Sequence, residues 1–133
     1  MNADIFNSGL LEYLHQSPTP FHAVASMVKQ LQAQGFMALN EGASWSLSPK
    51  DTAFVARNDS SLCAFRIGSS PIIETGLRII GAHTDSPCLK IKPRPESCRE
   101  GILQLGVEVY GGALLAPWFD RDLSLAGRIT CKT

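Results

Sequence analysis

The chain has 133 residues, 44% of them hydrophobic, which is enough for a core in one domain of ordinary size and excludes disorder throughout. Its 12 basic and 12 acidic residues give a formal net charge of zero, which excludes bulk attraction to nucleic acid or to an anionic membrane and favours a small molecule or a protein as partner. No run approaches the roughly 18 apolar residues of a membrane span, and "MNADIFNSG" lacks the features of a signal peptide, so we expect a cytoplasmic protein.

Two helices are predicted at the start of the chain. The first spans about Asp4 to Leu14 and offers apolar side chains for packing, although Gly9 weakens its middle. The second spans Thr19 to Gln34, because Thr19 is a good N-cap, a proline follows it, and Gly35 suits a left-handed stop. Its buried face is predicted from the three-and-four spacing of apolar residues: Phe21, Val24, Val28 and Leu31.

Strands are predicted after Gly35. The stretch from Ala53 to Gly68 indicates two strands joined by a turn at Asn58 to Ser61. "LRIIGA", Leu77 to Ala82, is apolar on both parities, which is typical of a strand covered on both faces in a mixed or parallel sheet. "CLKIK", which begins at Cys88, alternates apolar and basic residues and predicts a strand with one solvated face.

The next segment, "PRPESCREG", is polar and contains prolines, unlike the segments before it. We place a domain boundary at residue 93. Beyond it, alternate apolar residues from Leu103 to Val109 share one strand face, and Leu123 to Ile129 indicates another strand. The pattern predicts an α/β fold for residues 1–93 and the start of a β-rich unit in residues 94–133. Because the chain ends soon after the last predicted strand, we expect the intact protein to continue.

The candidate site is the sequence His83-Thr84-Asp85, directly after "LRIIGA". In open α/β sheets, residues beyond the carboxyl end of a strand face the ligand crevice, and residues i and i+2 on extended backbone point to the same side. An imidazole can bind a divalent metal while a neighbouring carboxylate orients it. A lone histidine is also common as a structural residue, so the pattern alone leaves both interpretations open. We interpret His15 and His22 as ordinary helix or loop residues.

Two other charged groups are candidates for binding. Asp120 and Asp122 flank an arginine and could form a carboxylate pair on a strand face, but a structural role is the better interpretation. A local basic run could attract acidic peptides or phosphate, although a solvated strand face is the simpler interpretation. Its members are Lys90, Lys92, Arg94 and Arg99.

The four cysteines contain no Cys-x-x-Cys pair, so a zinc site built from them is not expected. Without a secretory signal they are predicted to be free thiols, most of them packed as small apolar groups. They are Cys63, Cys88, Cys98 and Cys131.

Three segments in this order, "GAHTDSPCLKIKP", "GVEVYGG" and "PWFDRDLSLAGR", resemble the amino-terminal part of the aspartyl aminopeptidase family, peptidase family M18. The helix start "SPTPFHAV" is also similar to that family. The resemblance covers most of the chain. It implies a peptidase that removes N-terminal Asp or Glu from peptides.

The resemblance also implies a fold and a site. Residues 1–93 correspond to part of an αβα-sandwich catalytic domain, and residues 94–133 to the first strands of an inserted β-rich domain that mediates assembly into a homo-oligomer. Two zinc ions are implied, with His83 as a metal ligand and Asp85 as the catalytic acidic residue that supports it. The other ligands and the glutamate general base match no position of this sequence.

Two functional hypotheses follow. The first is a zinc aminopeptidase for peptides with an acidic N-terminal residue, represented here by its amino-terminal part. The second is a non-catalytic truncated product that binds metal weakly or associates with full-length subunits, because one histidine falls short of the three ligands of a catalytic zinc site. A stand-alone β-rich binding module has only the alternating strands in its favour.

Overall fold

The computed structural model describes residues 2–132. The chain forms two compact units, the first made of residues up to Thr84 together with those from Ala126 onward, and the second of Asp85–Leu125. Among the helices of the described residues, none has the length and apolar character that crossing a membrane requires. The predicted start of an inserted domain at residue 94 stays a prediction.

Helices α1 (Ala3–Gln16) and α2 (Pro20–Ala33) open the first unit, as predicted. The Asn2 side chain accepts a hydrogen bond from the backbone N–H of Asp4, 3.0 Å away, and α1 runs through Gly9 without a break. None of the α1 side chains is buried; Ile5, for example, is 71% exposed. The apolar side chains of α1 therefore stay largely exposed, although α1 contacts α2.

Individual residues at the two ends of helix α2 determine where it begins and ends. The Thr19 hydroxyl accepts a hydrogen bond from the backbone N–H of His22 at 3.4 Å, and Pro20 occupies the first turn, where its missing N–H costs nothing. Gly35 has a φ of +80°, the left-handed stop expected of it. Of the predicted buried face, Val24 is buried and the other members are half-buried.

The sheet of the first unit has the order β1-β2-β3. Strand β1 (Met37–Ala38) pairs in parallel with β2 (Thr52–Arg57), which pairs antiparallel with β3 (Ser61–Arg66). Helix α2 packs against β2 and β3. The buried apolar residues of the described chain are Ala23 and Val24 of α2 and Ala53 and Phe54 of β2.

The segment Leu77 to Ala82 corrects one prediction, since it follows a short helix α3 (Ile72–Thr75) and forms no strand. A strand needs a neighbour for its backbone hydrogen bonds, and the sheets within residues 2–132 place none beside it. Its side chains are accordingly open to solvent, with Ile80 fully exposed. The predicted strand from Leu123 to Ile129 is likewise absent from the described residues.

The second unit is built on a hairpin of β4 (Cys88–Arg99) and β5 (Ile102–Tyr110). The polar stretch at which we placed the domain boundary is thus mostly part of a strand. Its prolines are accommodated because the register shifts between Ile91 and Glu96, where a missing N–H breaks no ladder bond. Glu100 and Gly101, with φ of +51° and +80°, make the tight turn between the strands.

All four cysteines are free, but the prediction that most are packed inside is wrong. Cys63, Cys98 and Cys131 are exposed, and Cys88 is half-buried. Cys63 lies on the edge strand β3, Cys98 near the hairpin turn and Cys131 in an irregular segment.

The N-cap of α2 generates a stability prediction. Replacing Thr19→Ala removes the oxygen that accepts the His22 N–H, and we expect the free energy of unfolding to fall by about 1 kcal/mol. Urea denaturation followed by circular dichroism measures this change. Thr19→Ser keeps the hydroxyl and should retain nearly all of the stability; equal losses in both variants would show that the hydroxyl is not the cause.

Candidate functional site

His83 and Asp85 lie in the irregular segment between α3 and β4. His83 is exposed, while Thr84 and Asp85 are half-buried. The division between the two units falls inside this short motif, with His83 and Thr84 in the first unit and Asp85 at the start of the second. Convergence of the imidazole and the carboxylate on one site therefore stays a prediction.

Asp85 is bonded to a residue that the sequence did not single out. The phenolic O–H of Tyr110 donates a hydrogen bond to Oδ2 of Asp85, with 2.6 Å between the oxygens. A short bond from a neutral donor to an ionised acceptor is stronger than one between two neutral groups. Tyr110 thus restricts the orientation of the carboxylate that was predicted to support the metal ligand.

The hairpin brings Tyr110 to Asp85. Cys88 pairs with Tyr110 at the open end of the ladder, so the last residue of β5 lies beside the residues that enter β4. Gly111 has a φ of +67°, and a side chain there would start 3.5 Å from Pro87. The Lys90 ammonium lies 5.3 Å from the centroid of the Tyr110 ring, within the range of a cation–π contact.

The hydrogen bond to Asp85 raises the pKa of Tyr110, and the carboxylate charge adds to the effect. Both favour the neutral phenol, because deprotonation would lose the donor and place two negative charges together. A pKa raised on folding stabilises the folded state at pH values below the ordinary tyrosine pKa of about 10, and this stabilisation is lost as the pH rises through the folded-state value.

The remaining histidines lie on the first two helices. His15 lies exposed in the last turn of α1, and the His22 ring lies 2.8 Å from the Thr19 hydroxyl. Within residues 2–132, no group of three or more His, Cys, Asp or Glu side chains is placed to hold a metal ion. The described residues therefore do not fit a complete zinc site, since such sites use at least three protein ligands.

Asp120 and Asp122 do not lie on a strand, which leaves the structural role as their interpretation. The chain bends at these residues, Asp120 has a φ of +53°, and the Arg121 guanidinium donates to the carbonyl of Pro117 at 3.4 Å. Aspartate tolerates this left-handed conformation better than most residues. A corner in the chain accounts for these residues.

The basic run lies along β4 and is exposed throughout, as a solvated strand face predicts. Lys90 pairs across the hairpin with Glu108, so one positive charge of the basic run has a negative charge directly across the ladder. The four residues are Lys90, Lys92, Arg94 and Arg99.

Solved structures share this arrangement of helices, mixed sheet and hairpin. The mApe1 protein of Chaetomium thermophilum superposes with a TM-score of 0.82 at 34% identity, covering 91% of this chain and 28% of that one. The mApe1 dodecamer of S. cerevisiae gives a TM-score of 0.76 at 30% identity, covering 86% and 27%. The fold is therefore that of the amino-terminal part of an M18 aminopeptidase.

Residues 13–133 match the family described as aminopeptidase I zinc metalloprotease (M18). A "Probable M18 family aminopeptidase 2" of Stutzerimonas stutzeri (strain A1501) is 61% identical over 127 residues, which is 96% of this chain and 30% of the relative. The chain belongs to the M18 family of zinc metallopeptidases. It spans about 30% of the length of the curated relatives that it matches.

The contact between Tyr110 and Asp85 generates a prediction about alkaline titration. In a Tyr13→Phe background Tyr110 is the one tyrosine of the chain, so phenolate absorbance reports it alone. We expect its midpoint to lie above the ordinary value of about 10, and Asp85→Asn to lower it by removing the charged acceptor.

Glu74→Gln is the matched control, because it removes the same charge from α3 in the first unit. We expect it to leave the Tyr110 midpoint unchanged. An equal shift in both variants would mean that net charge, and not the hydrogen bond to Asp85, controls the phenol.

Proposed function

We propose that the native protein carrying this sequence is a zinc-dependent aminopeptidase that removes N-terminal Asp or Glu from peptides. The observation that carries the proposal is the family match over residues 13–133, which includes both His83 and Asp85. The family description supports a zinc metalloprotease, and the names of the curated relatives support an aminopeptidase. The acidic preference rests on the resemblance to aspartyl aminopeptidases.

In this proposal His83 is one metal ligand and Asp85 is the acidic residue that supports it. Two zinc ions, one of them held by His83 together with ligands from elsewhere, would supply Lewis-acid chemistry at the peptide carbonyl. Because the residues described here do not fit a complete site, the other ligands and the glutamate general base come from outside them. The hydrogen bond from Tyr110 supports a fixed orientation for Asp85.

The proposal extends to assembly and location. We propose that the full-length protein is a cytoplasmic homo-oligomer, with residues 94–133 beginning the inserted β-rich domain that contributes to assembly. The solved mApe1 of S. cerevisiae is a dodecamer, which supports oligomerisation. The neutral charge balance supports peptides rather than nucleic acid or membranes as partners.

A non-catalytic product is the second candidate. The observation in its favour is the lack of any three-ligand cluster within residues 2–132. Such a product would bind zinc weakly or associate with full-length subunits.

Peptide hydrolysis by the native protein distinguishes the two candidates. We expect peptides with N-terminal Asp or Glu to be cleaved faster than otherwise identical peptides with Leu or Lys, and zinc to be present in the purified protein. Replacing His83→Ala should lower kcat/KM by more than about 100-fold, the upper end of the effect of a residue that only supports a ligand. Zinc content, measured by mass spectrometry, should fall with it.

The matched control is His15→Ala, which removes an exposed histidine from α1. It should change neither zinc content nor kcat/KM. Normal zinc and normal turnover in His83→Ala would exclude His83 as a ligand. Native protein that neither contains zinc nor cleaves any of the peptides would favour the non-catalytic product.

A further inference from the structure

The chain crosses the border of the first unit twice, leaving it after Thr84 and re-entering it at Ala126. The exit point is bonded to the turn between β2 and β3: the Thr84 hydroxyl donates to the carbonyl oxygen of Ser60 at 2.8 Å. This bond joins residues 24 positions apart in sequence, and both oxygens belong to the first unit. It gives a polar attachment to a segment that forms no strand.

The re-entry point is bonded to the same turn. Arg128 donates from Nη1 to the carbonyl oxygen of Asn58 at 3.1 Å and to its side-chain Oδ1 at 3.3 Å. The guanidinium carbon lies 4.2 Å from the centroid of the Phe21 ring, and Nη1 lies 3.9 Å from a carboxylate oxygen of Asp59. A planar guanidinium is suited to combine stacking on a ring with hydrogen bonds in its own plane.

The turn that receives both donors has a defined backbone. Asn58 and Asp59 have φ of +51° and +54°, a left-handed conformation that asparagine and aspartate adopt more readily than most residues. The Ser60 N–H donates to the carbonyl of Arg57 at 3.2 Å, and the ladder begins directly with the pair Arg57 and Ser61. Two acceptors two residues apart are thus held on one short, paired loop.

We propose that the turn Asn58–Ser60 is a clasp that holds both the exit and the re-entry of the chain, with Thr84 and Arg128 as positioning residues for the backbone at His83. The two donors share one acceptor loop, so displacement of the loop by loss of one contact weakens the other. The role of His83 as a metal ligand rests on the proposed function. The clasp itself does not, because it depends only on contacts within the first unit.

Backbone order parameters from ¹⁵N relaxation of the full chain test the clasp. In the unaltered chain, the amides of His83, Thr84 and Arg128 should have values of about 0.85, as in rigid backbone. In Arg128→Gln, we expect values below about 0.6 both around residue 128 and at residues 83–84, although the Arg128 bonds described above go to Asn58 and Asp59. The amides of β2 and β3 should stay rigid.

Thr84→Val tests the coupling in the reverse direction and should lower the order parameters around residue 128. Thr84→Ser keeps the hydroxyl donor and should restore them. Arg121→Gln is the matched control, because Arg121 donates to a carbonyl within the second unit and its loss should leave both segments unchanged.

Loss of order confined to the mutated side in both Arg128→Gln and Thr84→Val would overturn the clasp, as would mobile junctions in the unaltered chain. If Arg128→Gln fails to fold, Asn58→Gly provides the test, since glycine accepts the positive φ and removes the side chain whose Oδ1 accepts from Arg128. It should loosen both junctions, and loss at one alone would overturn the proposal. Because none of these measurements involves zinc or peptide, failure of the proposed function would leave them unaffected.

Discussion

The contact between α2 and β2 is the constraint on which the first unit depends. The buried apolar residues of the described chain, Ala23, Val24, Ala53 and Phe54, all lie on these two elements. Burial of a large apolar side chain contributes about 1.5 to 3 kcal/mol, so this small contact sets the position of the β2–β3 hairpin relative to the helix. The turn at the end of that hairpin accepts the hydrogen bonds of Thr84 and Arg128. These hydrogen bonds therefore depend on the apolar contact between α2 and β2.

Features that depend on neighbouring residues in sequence were predictable. The cap at Thr19, the left-handed Gly35 and the turn at Asn58 follow from the conformational preferences of single residues, and the structure has all three. The strand predicted from Leu77 to Ala82 was wrong because an apolar run specifies burial without supplying the layers that bury it. Proline at position 93 predicts a break, but a shift in register lets β4 continue past it.

Part of the candidate site was likewise predictable from the sequence, and part was not. His83 and Asp85 are close in sequence and belong to a motif, so they can be identified without a structure. Tyr110 was missed because its contact with Asp85 depends on the register of the hairpin, which pairs it with Cys88. Alternation along β5 predicts its apolar face but does not fix which residue of β4 lies opposite, since two prolines and a bulge intervene.

A metal ligand on irregular backbone needs other support, because a productive site tolerates misplacement of only about 0.5 Å. A strand would provide that support through its ladder of backbone hydrogen bonds, but the residues before His83 form none within the described chain. Side-chain bonds are the alternative that the structure offers, on one side of the motif through Thr84 and on the other through the bond of Asp85 to Tyr110. The two attachments belong to different units, so the position of Thr84 depends on the folding of the first unit and that of Asp85 on the folding of the second.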